Sequence, residues 1–180
     1  MEEPIKLNTK DIKEAAKTLC AGDSVLLSGT VYTARDAAHK KICALIDNGE
    51  KIPFELDGAV IYYAGPTPAP EGRPIGSCGP TTSSRMDGFA PKLIDLGVAA
   101  TIGKGNRSNE VVEAMKRNGA IYLCAIGGAG AIAAQRKWAL SEQCAGKATV
   151  AQVWDNLYIS RYFRCVNLCL LLRSIQFELQ

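Results

Sequence analysis

The chain has 180 residues, 47% of them apolar and 22% charged, with a formal net charge of +3. That is enough chain for one domain with a real core, at a composition ordinary for a globular protein. So small a positive excess gives no ground for a nucleic-acid partner and points instead to a local positive site.

Taken in order, Ile5–Leu7 reads as a short strand. Thr9 is placed to cap a helix, with Asp11 in its first turn and Ile12, Ala15, Ala16 and Leu19 at helical spacing. Gly22 stops that helix, and Ser24–Tyr32, rich in Val, Leu and Thr, is a strand. A second helix starts near Asp36, carries Ala38, Ile42, Leu45 and Ile46 on one side, and ends at Asn48-Gly49. If it begins early enough, Arg35 and His39 share a face. Ala59–Ala64 is a strand. Four prolines make Gly65–Pro74 an irregular loop, either a rigid connector or a partner ligand. Met86–Leu96 is helical in its second half, with Pro91 in the first turn and Gly97 as its stop. Val98–Ile102 is a strand and Gly103–Asn106 a loop. Ser108 or Asn109 caps a helix closed by Asn118-Gly119. Ala120–Ile126 is a strand that runs into Gly127–Gly130 and a helix from Ala131 to about Leu140.

Strand and helix thus alternate from Val98 to Leu140, the pattern of a parallel βαβ unit. The earlier hairpin-like strands add a second sheet to a mixed α/β architecture. Beyond Cys144 the pattern is less legible. Val150–Ile159 is strand or helix, and Tyr162–Leu172 is apolar without clean periodicity.

The seven cysteines are scattered and form no CxxC pair, which does not fit a disulfide framework. The start, MEEPIKLNTKD, has no apolar stretch for a secretory signal, and Leu168–Leu172 is far short of the ~20 residues that span a bilayer. A cytoplasmic location without membrane attachment is expected.

Gly76–Ser108 (GSCGPTTSSRMDGFAPKLIDLGVAATIGKGNRS) concentrates the chemistry. The Thr81 hydroxyl, the Arg85 guanidinium and the Lys104 ammonium can meet a negatively charged small molecule there. Arginine forks match carboxylates, so Arg35 is the natural second fork for a dicarboxylate. A hydroxyl beside cations can exchange a proton with a substrate carbon. The spacing suits loops at the ends of neighbouring strands, where open α/β sheets place ligands. The alternative is capping threonines and solvated basic residues. His39, the single histidine, is either a packed residue or a catalyst. Cys78 is either a small buried residue or a reactive thiol or cluster ligand. No metal-ligand set is recognisable by spacing. Gly127–Gly130 is either an anion-binding helix start or a close strand–helix packing point, and it lacks the third glycine of a dinucleotide fingerprint.

GTVYTARDAAHKK (Gly29–Lys41), FELDGAVIYYAGPTPAPEGRPIGSCGPTTSSRMD (Phe54–Asp87), GVAATIGKGNRS (Gly97–Ser108) and AIYLCAIGGAGA (Ala120–Ala131) resemble the beta subunit, or C-terminal domain, of iron–sulfur class I fumarase and L(+)-tartrate dehydratase. The match runs from about Leu7 to Trp138. The resemblance implies a swivelling β/β/α three-layer domain with mixed sheets, formed by residues 1–180. It implies a hydro-lyase acting on a four-carbon dicarboxylate, fumarate or tartrate. It also implies a hetero-oligomer in which an alpha subunit carries a 4Fe–4S cluster, with no cofactor bound by this chain alone.

Carried over by motif, Arg35, Arg85 and Lys104 hold the carboxylates. Thr81 takes the carbon-bound proton, with Thr82 as the alternative. His39 and Cys78 are supporting residues. After about Trp138 the chain departs from the family, ending in WDNLYISRYFRCVNLCLLLRSIQFELQ. That departure leaves a second reading open, a non-catalytic binding or assembly protein of the same fold.

Overall fold

The computed structural model describes residues 3–72, 75–125, 127–128, 130–131, 138–140 and 150–159. Five short strands run parallel: β1 (Ile5–Asn8), β2 (Val25–Thr33), β3 (Val60–Tyr62), β4 (Ala100–Gly103) and β5 (Ile121–Cys124). Strands covered on both faces read as unbroken apolar runs. That is the case for β3, β4 and β5, which are buried at every position. Between them lie two crossover helices, α3 (Ala90–Asp95) from β3 to β4 and α4 (Asn109–Asn118) from β4 to β5. These are the βαβ units expected from the alternating pattern.

Two further strands, β6 (Trp138–Leu140) and β7 (Val150–Ile159), join antiparallel, giving the order β5-β4-β3-β2-β7-β6. β7 pairs with β2 from Val25 to Tyr32. The opposite edge of β2 is therefore shared: β1 takes Val25–Ser28 and β3 takes Tyr32 and Thr33. The register slips between Leu27 and Gly29, a bulge that bends the strand and curls the sheet. Gly29 is at φ +109°, and a Cβ there would run into the Thr9 hydroxyl, so the bend needs glycine.

Alternate residues feed the two faces. Val60, Tyr62, Ile121 and Leu123 pack on one side with Leu27, Val31 and Ile12 of the short α1 (Ile12–Ala15). Ile61 and Tyr63 pack on the other against Ile42 of α2 (Asp36–Asp47) and Leu93 of α3. Tyr122 and Cys124 meet Val111, Ala114 and Met115 of α4. Each large buried side chain contributes roughly 1.5–3 kcal/mol relative to exposure. The result is an α/β three-layer domain.

Four expectations change. β1 and β2 are parallel neighbours rather than a hairpin, and the described strands form one sheet rather than two. Asn8 caps a 3₁₀ turn, Thr9–Asp11, that leads into α1, its side chain accepting from Lys10 N at 3.1 Å, and α1 itself has no side-chain cap. The Thr9 hydroxyl is drawn away to accept from Thr30 N at 3.0 Å, and α1 is correspondingly short. The helix expected to reach about Leu140 does not do so: Trp138–Leu140 pair with Val153–Ala151 of β7, which supplies their backbone partners. Val150–Ile159 resolves as strand. The apolar stretch Tyr162–Leu172, like most of the expected helix after Ala131, lies outside the described residues.

The α4 ends follow the sequence closely. Ser108 is the cap, its hydroxyl accepting from Val111 N, and Gly119 closes the helix at φ +65°.

Candidate functional site

The parallel strands β2, β3, β4 and β5 end in register along one edge of the sheet, and Arg35, Lys104 and Gly127 follow three of those ends. Arg35 lies two residues past β2, in extended backbone, as the residue that opens α2. Lys104 directly follows β4, and Gly127 follows β5.

The Thr81–Ser83 segment is laid between β3 and β4 as a short continuation of the sheet. Thr81 N donates to the Tyr63 carbonyl at 2.6 Å, Lys104 N to the Thr81 carbonyl at 3.4 Å, and Ser83 N to the Lys104 carbonyl at 2.8 Å. Thr82 and Lys104 form a parallel bridge. Ser83–Met86 then turns as a 3₁₀ segment that presents Arg85. Thr81 is half-buried and Thr82 exposed. Arg35, Thr81, Thr82, Arg85 and Lys104 thus lie at the carboxyl edge, where such sheets place ligands.

The cations differ in their partners. Arg85 forks onto Asp36, Nε to Oδ1 at 3.0 Å and Nη2 to Oδ2 at 2.8 Å. Asp36 therefore sits beside Arg35 in the chain and holds Arg85 across from it. Arg35 lies along the chain at Gly65: a Cβ at that glycine would stand 2.9 Å from Arg35 Nη1. Lys104 Nζ lies 3.8 Å from where a Cβ at Gly127 would be. Among the described residues, neither Arg35 nor Lys104 meets a carboxylate. Two exposed, unpaired cations and a third fork held by an aspartate are suited to an anion with more than one carboxylate.

The glycine-rich loop after β5 packs closely. Cys78 N donates to the Gly130 carbonyl at 3.0 Å, and a Cβ at Gly130 would stand 2.5 Å from Ser77 Oγ and 2.9 Å from Gly79 N. Gly130 is there for close approach to the 77–79 turn. Cys78 is fully buried, its carbonyl accepts from Tyr62 Oη at 2.9 Å, and burial pushes its thiol up to about 12. It is a protonated packing residue rather than a thiolate. Among the described residues no three or more His, Cys, Asp or Glu side chains stand together as a metal set.

His39 is fully buried and does not face the site. Its Nδ1–H donates to the Arg35 carbonyl at 3.0 Å, and its ring stands edge-on to Tyr63 at 5.2 Å. Its contribution is to hold the backbone of Arg35. Burial, chiefly, and then the Arg107 charge lower its pKa, against the opposing Arg35 carbonyl bond and Asp36. The folded chain keeps it neutral, while the unfolded chain takes up a proton near the ordinary 6.5. Stability is then complete above that value and falls as pH drops below it. Urea midpoints at about pH 7.5 and about pH 5.5 should fall for wild type, whereas His39→Gln should be less stable at both but flatter between them. Equal slopes for the two would contradict this.

Sequence reasoning missed Arg107. Its side chain is 2% exposed and pairs with Asp87, itself 12% exposed, Nε to Oδ1 at 2.8 Å. Nη1 donates to Thr101 Oγ1 at 3.0 Å and to Tyr63 Oη at 3.3 Å. The guanidinium stands over the Tyr63 and Tyr122 rings at 5.1 and 5.2 Å. The signal in the sequence is the set of polar groups in or next to apolar strands: Tyr63 just past β3, Thr101 in β4 and Tyr122 in β5. Arg107 Nη2 and His39 Nε2 are the buried side-chain atoms without partners among the described residues. One is a donor and the other an acceptor, and both side chains lie against Tyr63.

Among the described residues no helix is long and apolar enough to cross a membrane. A family model described as Fumarase C-terminus matches residues 1–143. Fumarate hydratase 2 of Leishmania major is 47% identical over 115 residues, 63% of this chain and 20% of the relative. The aerobic class I fumarate hydratase of Escherichia coli K12 is 46% identical over 110 residues, 61% of this chain and 20% of the relative. A Methanocaldococcus jannaschii protein with the provisional name L(+)-tartrate dehydratase subunit beta is 40% identical over 132 residues, 72% of this chain and 66% of the relative. The match thus spans about a fifth of the length of the fumarate hydratases and about two thirds of the shorter relative.

Proposed function

The chain belongs to the Fumarase C-terminus family, and from that premise we propose that it is the substrate-binding half of a hydro-lyase. The reaction is the reversible hydration of fumarate to (S)-malate, or, in the second reading that the archaeal relative's name supports, the dehydration of L(+)-tartrate. The chain acts as a beta subunit in the cytoplasm. An alpha partner supplies a 4Fe–4S cluster, whose chemistry when bound is that of a Lewis acid for the departing hydroxyl.

Arg35, Arg85 and Lys104 bind and orient the two carboxylates. Thr81, as an alkoxide favoured by those cations, takes the carbon-bound proton of malate in the dehydration direction and returns it in hydration. The alternative proton carrier is Thr82. The observation that carries the reading is the placement of Arg35, Thr81 and Lys104 on the carboxyl ends of adjacent strands, with both cations free of carboxylates among the described residues.

This chain should bind succinate, a non-reacting four-carbon dicarboxylate, more tightly than butyrate. The preference should weaken with added salt. Calorimetric titration checks it. Equal affinity for the dicarboxylate and the monocarboxylate would overturn the assignment of the site.

A further inference from the structure

We propose that Arg107 is a positioning residue, whose buried guanidinium sets the spacing between the Thr81–Arg85 turn and the Lys104 loop. The proposal rests on the dicarboxylate reading above and identifies what makes that site rigid. A buried charge is costly unless it is paired and its hydrogen bonds are used, so an arginine 2% exposed is tied to what it holds.

Its ties run to both halves of the site. On one side, Asp87 stands two residues past Arg85. It accepts from Arg107 Nε at 2.8 Å and, through Oδ2, from Ser108 N at 2.7 Å. The end of the arginine-bearing turn is thereby fastened to the start of α4. On a second side, Arg107 Nη1 holds Tyr63 Oη, and the Tyr63 carbonyl is the acceptor for Thr81 N. On a third, the guanidinium stands over the Tyr122 ring, whose hydroxyl donates to the Gly105 carbonyl at 2.9 Å and meets Ser83 Oγ at 2.8 Å. Gly105 follows Lys104, and Ser83 N donates to the Lys104 carbonyl.

One side chain therefore touches, at one remove, the backbone of Thr81, the turn of Arg85 and the loop of Lys104. Among the described residues, its side-chain hydrogen bonds and ion pair go to Asp87, Tyr63 and Thr101 and not to Arg35, Thr81, Arg85 or Lys104. Lysine would keep the charge but not the flat fork that reaches Asp87, Thr101 and Tyr63 together while lying over two rings.

Succinate titration of the full-length chain tests this, in wild type, Arg85→Ala, Arg107→Lys and Ile12→Val, each checked for folding by far-ultraviolet circular dichroism and melting. Ile12→Val is a core variant in the cluster that holds none of Tyr63, Thr101 and Tyr122, chosen to lower the melting temperature without touching the network. The expected result is that folded Arg107→Lys binds succinate about tenfold or more weakly. Ile12→Val, melting lower than wild type, should keep wild-type affinity. Tyr122→Phe, which removes only the hydroxyl tie to Gly105 and Ser83, should weaken binding to a smaller degree and serves if Arg107→Lys does not fold.

If Arg107→Lys, or failing that Tyr122→Phe, binds as wild type does, while Arg85→Ala loses affinity, the proposal is overturned and the dicarboxylate site stands. The proposal also fails if Ile12→Val loses affinity in proportion to its melting temperature, since stability alone would then explain the loss. If wild type and Arg85→Ala bind succinate equally, the site reading falls and this inference falls with it.

Discussion

Thr81→Val is expected to lower kcat of the assembled enzyme by about three orders of magnitude while leaving the chain folded. Valine keeps the branched shape and the backbone bond from residue 81 to the Tyr63 carbonyl, so the segment between β3 and β4 stays in place. What it removes is the hydroxyl alone. Thr82 is the internal control. It is exposed, its backbone bridges Lys104, and successive extended residues point to opposite sides. Thr82→Val should stay within a few-fold of wild type.

Anaerobic turnover of malate measures both variants. A second readout is exchange of the carbon-bound hydrogen with heavy water, which wild type should catalyse and Thr81→Val should not. If instead Thr82→Val loses turnover and exchange while Thr81→Val retains them, the proton carrier is Thr82.

Arg85→Ala should lose about 30-fold to 1,000-fold in kcat/KM. The fork can form two charge-assisted hydrogen bonds to a carboxylate, each worth roughly 1.5–3 kcal/mol, with only part of the sum realised. In the free chain that fork rests on Asp36, in a pair exposed enough for a substrate carboxylate to compete. Arg85→Lys should recover little, because an ammonium cannot serve both oxygens in the plane. The comparison is Lys13→Ala. Lys13 also forms an ion pair, with Asp57 at 2.5 Å, but an exposed one away from the carboxyl edge, and such pairs contribute little. Similar kcat/KM for Arg85→Ala and Lys13→Ala would remove Arg85 from the site.

Much of the fold was legible because local signals and tertiary structure agree. Ser108, Gly119, Gly97 and Pro91 sit at helix ends as their chemistry demands, and the buried runs at Val60, Ala100 and Ile121 are strands. What was not legible depends on partners distant in sequence. Thr9 has the chemistry of a cap, but Thr30, 21 residues away, takes its hydroxyl, and Thr9 lies instead inside a 3₁₀ turn that Asn8 caps. The parallel pairing of β1 with β2 is a matter of direction, which local pattern does not encode.

The site divides in the same way. Arg35, Thr81, Arg85 and Lys104 lie in motifs and fall at one edge of the sheet. His39 and Cys78 lie in the same motifs but turn inward, one under Arg35 and the other under the 77–79 turn. Arg107 was hidden because its partners come from the residue after β3, from β4 and β5 and from the turn after Arg85, and no spacing in the chain announces that convergence.

If this chain supplies half of a hydro-lyase site, it is required for turnover. That is measured by the loss of fumarate absorbance under anaerobic conditions, with the chain mixed with a cluster-loaded alpha partner and tartrate-dependent oxaloacetate formation followed in parallel. Turnover of one substrate that requires both chains and stops when this one is omitted is the expected result. A stable complex of the two that turns over neither substrate, or turnover that persists without this chain, would contradict it.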